Sequence, residues 1–389
     1  MQHTRNINFS YWEKESFTNY DYIIIGAGIV GLSTAIELKE KFSASTVLVL
    51  ERGFLPAGAS TRNAGFACMG SVTELSDDLT AMKEDEVIRL FELRKKGLER
   101  LRKRLGDSNI GYAERGSYEL INGNGPDVVE RIEYLNKLLL PVTKKPAFAL
   151  ANTKIQEFGF STNYTRSLVE NLGEGELNTG KMMRALINLT LQKGIEIKTG
   201  SEVINFEEKS DSVSVEIKIP FTDGKIKLDA KVLVICTNAF TKQLLPDEEL
   251  QPGRGQVLVT KPIKGLKFKG IFHFDKGYYY FREIDGRVLM GGGRNLDFVG
   301  ETTTGFGLNE AIQADLENKL REIVIPGFHF SVEYRWSGIM AFGPTKYPLV
   351  KPISNRVFGV FRLGGMGVAL GSEVAAQLAD LIEGNEKNN

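Results

Sequence analysis

The chain has 389 residues, 42% hydrophobic and 25% charged, with 49 basic and 49 acidic side chains. That is enough apolar material for two or three domains, or for one large split domain. A formal charge of zero, without a dense basic run, argues against nucleic acid and anionic lipid as partners, and no 18-residue apolar run is present to span a membrane.

The chain opens on a polar, aromatic-dotted preamble over residues 1–20. It lacks the apolar core of a signal peptide, so the cytoplasm is the expected location. "YDYIII" is a continuous β-rich run, suited to a strand buried on both faces. "IVGLSTAIELKEKF" carries apolar residues at helical spacing, and "TVLVLE" is a second buried strand. Together they predict a β-α-β unit. "SDDLTAMKEDEVIRLFELRKKGLERLRKRLG" predicts one long helix, capped by Ser76 and ended at Gly106. A short strand, "SYELI", and a helix near Pro126–Leu140 follow. "NTGKMMRALINLTLQKG" reads as an amphipathic helix stopped by Gly194. The alternation in "IEIKTGSEVINFEEKSDSVSVEIKI" predicts a strand and a meander, and "KVLVICTNAF" a buried strand meeting a small-residue turn. Residues 250–335 are strand-rich, with a hairpin turn at Asp285-Gly286 and one helix around Ala311–Val324. "RVFGVFRLGGMGVALGSEVAAQLADLIEG" reads strand, glycine loop, helix.

Parallel-type units therefore sit at both ends of the sequence, with antiparallel strands between. The expected fold is α/β (α+β): a Rossmann-like nucleotide domain of discontinuous segments (residues 1–80, 150–250 and 335–389) and an inserted domain with a largely antiparallel sheet (residues 81–149 and 251–334).

Chemistry enters at the first glycine loop. Gly26, Gly28 and Gly31 spell G-x-G-x-x-G between strand and helix. They permit a tight turn, a close approach of pyrophosphate to the backbone, and close helix–sheet packing. Ala27, Ile29 and Val30 fill the loop and the helix N-terminus, where free N–H groups favour an anion. Glu51, beside Arg52, ends the second strand twenty residues after Gly31, where a carboxylate can accept ribose hydroxyls. The motif alone does not separate NAD from FAD. A second stretch does: Ser60 and Thr61 can bond phosphate and ribityl oxygens, Arg62 can screen the pyrophosphate or orient the loop, and Asn63, Ala64, Gly65 and Phe66 let the backbone run along a flavin ring. FAD is the expected cofactor, held noncovalently. A thioether from Cys68 is the minor alternative, and Cys68 and Cys236 otherwise read as reduced interior thiols.

"DYIIIGAGIVGLSTAIEL", "LER" and "GASTRNAGF" together resemble the FAD-dependent amine and amino-acid oxidoreductases. That family includes D-amino acid oxidase, glycine oxidase, sarcosine oxidase and γ-glutamylputrescine oxidase. "YWEKES" is most similar to the last of these branches. The resemblance runs along nearly the whole chain. It implies adenine contact at the backbone of Val203 and cofactor contact at Thr237, Asn238 and Ala239. It also implies contact at Gly338 and Met340, and a turn over Leu363, Gly364, Gly365, Met366, Gly367, Val368 and Ala369 that meets the flavin's C2 carbonyl.

The family pattern breaks at one position. Many members that oxidise α-amino acids carry an arginine for the substrate carboxylate. Aligning Trp336, Gly338, Pro344 and Pro348 without gaps places Met340 there. Arg294 is the first substitute considered, with Arg254, Arg282 and Arg335 as alternatives. The tyrosines of "GYYYF", Tyr279 among them, can line an amine pocket. His273 and His329 stand alone and are expected to be structural. No triad or metal cluster is legible.

The implied function is oxidation of a C–N bond in a small amine or amino acid, by hydride transfer to flavin N5. The imine then hydrolyses, and oxygen or another acceptor reoxidises the flavin. Two alternatives remain: a 2-hydroxy acid or glycerol-phosphate-type dehydrogenase, and a flavin domain acting through a macromolecular partner.

Overall fold

A computed structural model describes residues 9–123, 125–219 and 224–387; the start of the preamble lies outside them. The strand Asn19–Ile25 is the centre of the first sheet, and it buries five of its seven side chains because the apolar run leaves neither face polar. It pairs in parallel with Val47–Leu50 on one side and Lys225–Ile235 on the other, with Tyr22 opposite Val47 and Val232. Glu196–Lys198 extends the sheet beyond Val47–Leu50, and Val357–Phe361 extends it beyond Lys225–Ile235, both parallel. Leu349–Pro352, Val213–Lys218 and Glu202–Glu208 are added antiparallel.

The helix Ile29–Lys41 lies on one face of this sheet, and every residue from Ile29 to Leu38 is buried. It can lie so close because Gly31 has no Cβ; one placed there would overlap the carbonyl oxygen of Gly26. The helix Gly367–Glu386 packs beside it and against Glu84–Leu105. Leu90, Leu98, Leu101, Val374 and Leu378 share that core with Ile24 and Val49. Ile23, Ile25, Leu48, Leu233 and Ile235 form the core of the other face.

The second sheet also has eight strands, in the order Val332–Phe342, Gln251–Thr260, Arg287–Gly292, Tyr279–Ile284, Ile271–Phe274, Ser117–Ile121, Ser167–Asn171, Phe148–Leu150. Its neighbours are antiparallel except for Ile271–Phe274 beside Ser117–Ile121. Asp285 and Gly286, at φ 50° and 74°, make the tight hairpin between two of its strands, as the Asp-Gly pair predicts. Among the described residues, no helix is long and apolar enough to cross a membrane.

The segment expected as one long helix is two. Val72–Ala81 is capped by Ser71, whose hydroxyl accepts from Glu74 N, and Glu84–Leu105 follows an extended break at Met82–Lys83. Ser76 is not the cap; its hydroxyl donates to the Val72 carbonyl at 2.7 Å.

Sheet membership also divides the chain differently from the expected boundaries. Glu84–Leu105 packs into the nucleotide core against the helix Gly367–Glu386, and Gly125–Thr143 joins the same apolar cluster through Glu84–Leu105 and Val72–Ala81 while also touching the strand Phe148–Leu150. Ser167–Asn171 and Val332–Phe342 belong to the second sheet, each ordered by a ladder of backbone hydrogen bonds to it.

Gly97 marks the tightest helix crossing. A Cβ there would overlap the carbonyl oxygen of Ala369, whereas a Cβ at Gly384 meets nothing within 4 Å. Alanine in a helix interior gains about 1 kcal/mol over glycine, and overpacking costs roughly 1–3 kcal/mol. Gly384→Ala is therefore expected to raise the melting temperature and Gly97→Ala to lower it, read by thermal unfolding of the two variants side by side.

Candidate active site

A cavity of about 790 Å³ runs from the nucleotide sheet to the second sheet. Its first part is built by the glycine turn. Gly26 adopts φ 109°, and a Cβ there would lie 2.8 Å from the Cys236 carbonyl oxygen. Gly28 caps the helix Ile29–Lys41 with no side-chain hydrogen bond, which leaves a helix N-terminus facing the cavity. Ser60 Oγ accepts from Ile29 N at 2.9 Å, so the second loop is tied to the first. Glu51 accepts from Ala27 N and Gly53 N at 3.1 and 2.9 Å, which fixes its carboxylate at the strand end. The cavity wall includes Gly26, Gly28, Ile29, Val30, Glu51, Arg52, Ser60 and Val203. Arg52 lies over the Phe240 ring, 3.6 Å from its centre.

The loop from Ala59 to Phe66 turns its carbonyl groups away from this space. Arg62 Nη1 donates to Ser337 O at 2.9 Å, and Trp336 Nε1 donates to Arg62 O at 3.0 Å. Arg62 Nε donates to Ala57 O; its guanidinium orients the loop. Arg282 Nη1 donates to the carbonyls of Leu177, Gly65 and Ala64 at 2.8, 3.1 and 3.3 Å. Asn63 folds the loop on itself, donating to Ser60 O and accepting from Gly65 N. Thr61 donates to Pro56 O and stays outside the wall, as do Gly65, Ala27 and Gly31; Arg62, Asn63, Ala64 and Phe66 line it.

At the far end, Thr237, Asn238 and Ala239 meet the turn Leu363–Ala369, and all of these line the cavity with Gly338 and Met340. Asn238 Oδ1 accepts from Arg362 N at 3.1 Å, which anchors that turn. Gly364 and Gly365 take φ 55° and 84°, and the helix that follows begins without a side-chain cap. Two helix N-termini whose own cap residues make no side-chain hydrogen bond, a fixed carboxylate and a long groove between them suit a bent dinucleotide with a charged centre and a ring that gains negative charge. The cradle fits FAD.

Beyond this groove the cavity is lined by side chains of the second sheet. Of the four arginines considered, three are engaged in the protein. Arg254 forks onto the buried carboxylate of Glu301 at 2.8 and 2.9 Å. Arg282 holds the loop carbonyls, and Arg335 donates to Gln313 and Glu317. Arg294 lines the cavity, half buried between Phe342 and Phe298, 4.1 and 4.8 Å from the ring centres. Among the described residues its guanidinium has no hydrogen bond and no ion pair, and burial pushes it below its ordinary pKa.

Tyr279 is turned into the core, its hydroxyl donating to Asp315 Oδ2 at 2.8 Å. Its neighbours Tyr278 and Tyr280 line the cavity instead, as strand alternation requires. His273 lines the cavity too, buried, whereas His329 is exposed. Among the described residues, no cluster of three or more His, Cys, Asp or Glu is placed to hold a metal ion.

Two further residues, behind the cavity lining, carry no sequence signal. Glu174 accepts from the backbone of Met69 and Gly70 and from Ser117, and Glu119 accepts from Ser71 Oγ, Thr73 N and Thr73 Oγ1. Burial pushes both carboxyls up to about 7. They clamp the segment that follows the second loop, including Cys68, whose thiol burial pushes well up. Cys236 is likewise pushed up to about 12. Thiols of this kind resist alkylation. Cys236, which is buried, should stay unlabelled by a thiol reagent at pH 8 until the protein is denatured, and its labelling in the folded protein would contradict that burial; Cys68 is only partly buried and lines the cavity, so its labelling should fall when FAD is bound.

Comparison with known proteins agrees with this construction. The chain is 21% identical over 403 aligned positions to the probable oxidoreductase OrdL of Haemophilus influenzae, covering 99% of this chain and 88% of that one. Its fold is similar to L-proline dehydrogenase from P. horikoshii (TM-score 0.75, 17% identity, 94% and 93% of the two chains). It is similar also to glycine oxidase from Bacillus cereus (TM-score 0.74, 20% identity, 94% and 95%). Residues 21–381 match the DAO family of FAD dependent oxidoreductases, and the chain belongs to that family.

Proposed function

We propose that the enzyme oxidises the C–N bond of a small amine or amino acid that carries a carboxylate, and that Arg294 holds that carboxylate. The single observation that carries this reading is the state of Arg294: a half-buried cation lining the cavity with no acid partner among the described residues. Burying a charge without compensation is costly, and a planar guanidinium pairs with a carboxylate through two parallel hydrogen bonds. The aromatic rings of Phe342 and Phe298 hold the guanidinium plane in place before the ligand arrives.

FAD, when bound, supplies the hydride acceptor. The chain's own residues position the substrate. Met340 stands where many relatives carry arginine, and its thioether lies 3.3 Å from where a Cβ on Gly365 would sit. It fills space beside the flavin turn and offers no charge. The anion site has thus moved from the strand Val332–Phe342 to the end of the strand Arg287–Gly292. Solved structures of the same fold are named for acting on glycine and L-proline, both amino acids with a free carboxylate, which supports the substrate class. A 2-hydroxy acid would present the same carboxylate, so the substrate screen must include both classes.

Anaerobic bleaching of the visible flavin bands by a panel of amino acids, N-alkyl amino acids, simple amines and 2-hydroxy acids tests the reading. Amino acids are expected to bleach and 2-hydroxy acids not; the reverse would move the chemistry to C–O oxidation. With a bleaching amino acid in hand, Arg294→Met is expected to raise KM about 10- to 100-fold, the worth of a charge-assisted hydrogen-bond pair, with flavin content unchanged. An unaltered KM would remove Arg294 from the site. The FAD is also expected to leave the protein on acid precipitation; colour kept in the pellet would indicate a covalent bond at Cys68.

A further inference from the structure

The wall facing the substrate contains two polar side chains with no partner. His273 and Tyr280 sit directly opposite each other on adjacent antiparallel strands. Both rings meet Phe66 edge-on, at 5.1 and 5.6 Å between centres, and Phe66 closes the loop that runs along the flavin. Both line the cavity. The Nδ1 atom of His273 is sealed from solvent without a hydrogen bond, and His273 is only 6% exposed. The Tyr280 hydroxyl has no hydrogen-bond partner among the described residues. Buried polar groups in native proteins are almost always satisfied, and an unsatisfied one calls for an explanation.

The packing holds this pair in place. Gly291 stands opposite Tyr280 in the next strand. A Cβ there would come within 2.5 Å of the Tyr280 ring and its hydroxyl oxygen. Glycine at this position lets the phenol ring lie across the neighbouring strand, with its hydroxyl at the cavity. That neighbouring strand ends at Gly292, two residues before Arg294. The cation and the polar pair are therefore carried by adjoining strands of one rigid sheet.

Resting on the reading that Arg294 holds a carboxylate, we infer that His273 and Tyr280 form an uncharged hydrogen-bonding pair that receives the polar atom on the substrate's reacting carbon. Both groups are neutral at physiological pH, since burial lowers the imidazole pKa and raises the phenol to about 12. That neutrality suits the reaction. An amine gives up hydride from its neighbouring carbon only when its nitrogen carries a free pair. A carboxylate beside the nitrogen would stabilise the ammonium form. An imidazole and a phenol bind the neutral amine without that bias. Two acids face His273: Glu119 stands opposite it on the neighbouring strand, its carboxylate accepting from Ser71 Oγ and Thr73 N, and Glu74 lines the same cavity but caps its own helix, accepting from Ser71 N.

Two probes separate the pair from the cation. Acetate presents a carboxylate alone, and glycolate adds one hydroxyl at the position of the amine. Their binding to the FAD-loaded enzyme is read as a shift of the flavin spectrum. In the unaltered enzyme glycolate is expected to bind about 10-fold more tightly than acetate, the worth of one to two good hydrogen bonds. Tyr280→Phe and His273→Phe should each shrink that gap to about 3-fold or less and leave acetate unchanged, while His273→Asn, which keeps a hydrogen-bonding group, should restore part of it. Tyr280→Phe removes one oxygen atom, and its flavin content reports that the site is intact. No gap in the unaltered enzyme, or a gap that survives both phenylalanine variants, overturns the inference. Arg294→Met addresses the other reading separately: it should weaken both acids equally, and acetate binding that ignores it would sink the carboxylate role while the gap still reports on the pair.

Discussion

The two sheets are joined at the loop Ala59–Phe66 by hydrogen bonds to its carbonyl groups. Arg62 reaches the Ser337 carbonyl, Trp336 reaches back to the Arg62 carbonyl, and Arg282 gathers the carbonyls of Ala64, Gly65 and Leu177. Backbone carbonyls buried without donors would be costly. Satisfying them from the second sheet fixes the distance between the cofactor groove and the substrate wall. Hydrogen bonds made by a charged donor are roughly twice as strong as neutral ones, so a cavity between two domains can hold its shape. Precise spacing matters in an oxidoreductase because reaction between cofactor and substrate depends on near contact between the reacting atoms.

The same economy of groups explains the remaining charges. Three of the four arginines considered in the second sheet are spent on structure, and each has its acid or carbonyl partner. Arg294 is set apart by having aromatic neighbours instead. Outside the cavity lining, Glu119 and Glu174 hold backbone amides and hydroxyls, and among the described residues neither has an ion pair.

The nucleotide half was legible in the sequence because its signals are local. Strand, glycine turn, helix and acid fall within thirty-odd residues, and each step has its own periodicity. The second loop follows at once, so its small residues could be read as flavin contacts. The substrate half was legible only in part, because it is assembled from strands far apart in the chain. In "GYYYF" the composition announces a tyrosine wall, but a one-residue change of register exchanges the two faces. Tyr279 was expected at the pocket and is in the core; Tyr278 and Tyr280 face the cavity. His273 stands alone in the sequence, and its position opposite Tyr280 emerges only from the strand pairing. The sequence places Arg294 ahead of Arg254 without showing what holds either. Glu301, forty-seven residues beyond Arg254, distinguishes them. The divided helix before Gly106 shows the same limit: the apolar spacing continues through Met82 and Lys83, but the chain turns there.

The helix Gly367–Glu386 is wedged between Ile29–Lys41 and Glu84–Leu105, and the strand Val357–Phe361 completes the sheet begun by Asn19–Ile25. Chain synthesis is therefore bound to a fixed order of events. While the ribosome is still making the middle of the protein, the first glycine turn has only half of its walls, and the surface meant for the last helix is bare. FAD cannot be gripped at both ends until residues near 370 have emerged. Contacts spanning so much of the chain slow folding and lengthen exposure of apolar surface. The apolar surface awaiting the last helix is the part of the nascent chain most in need of cover at that late stage.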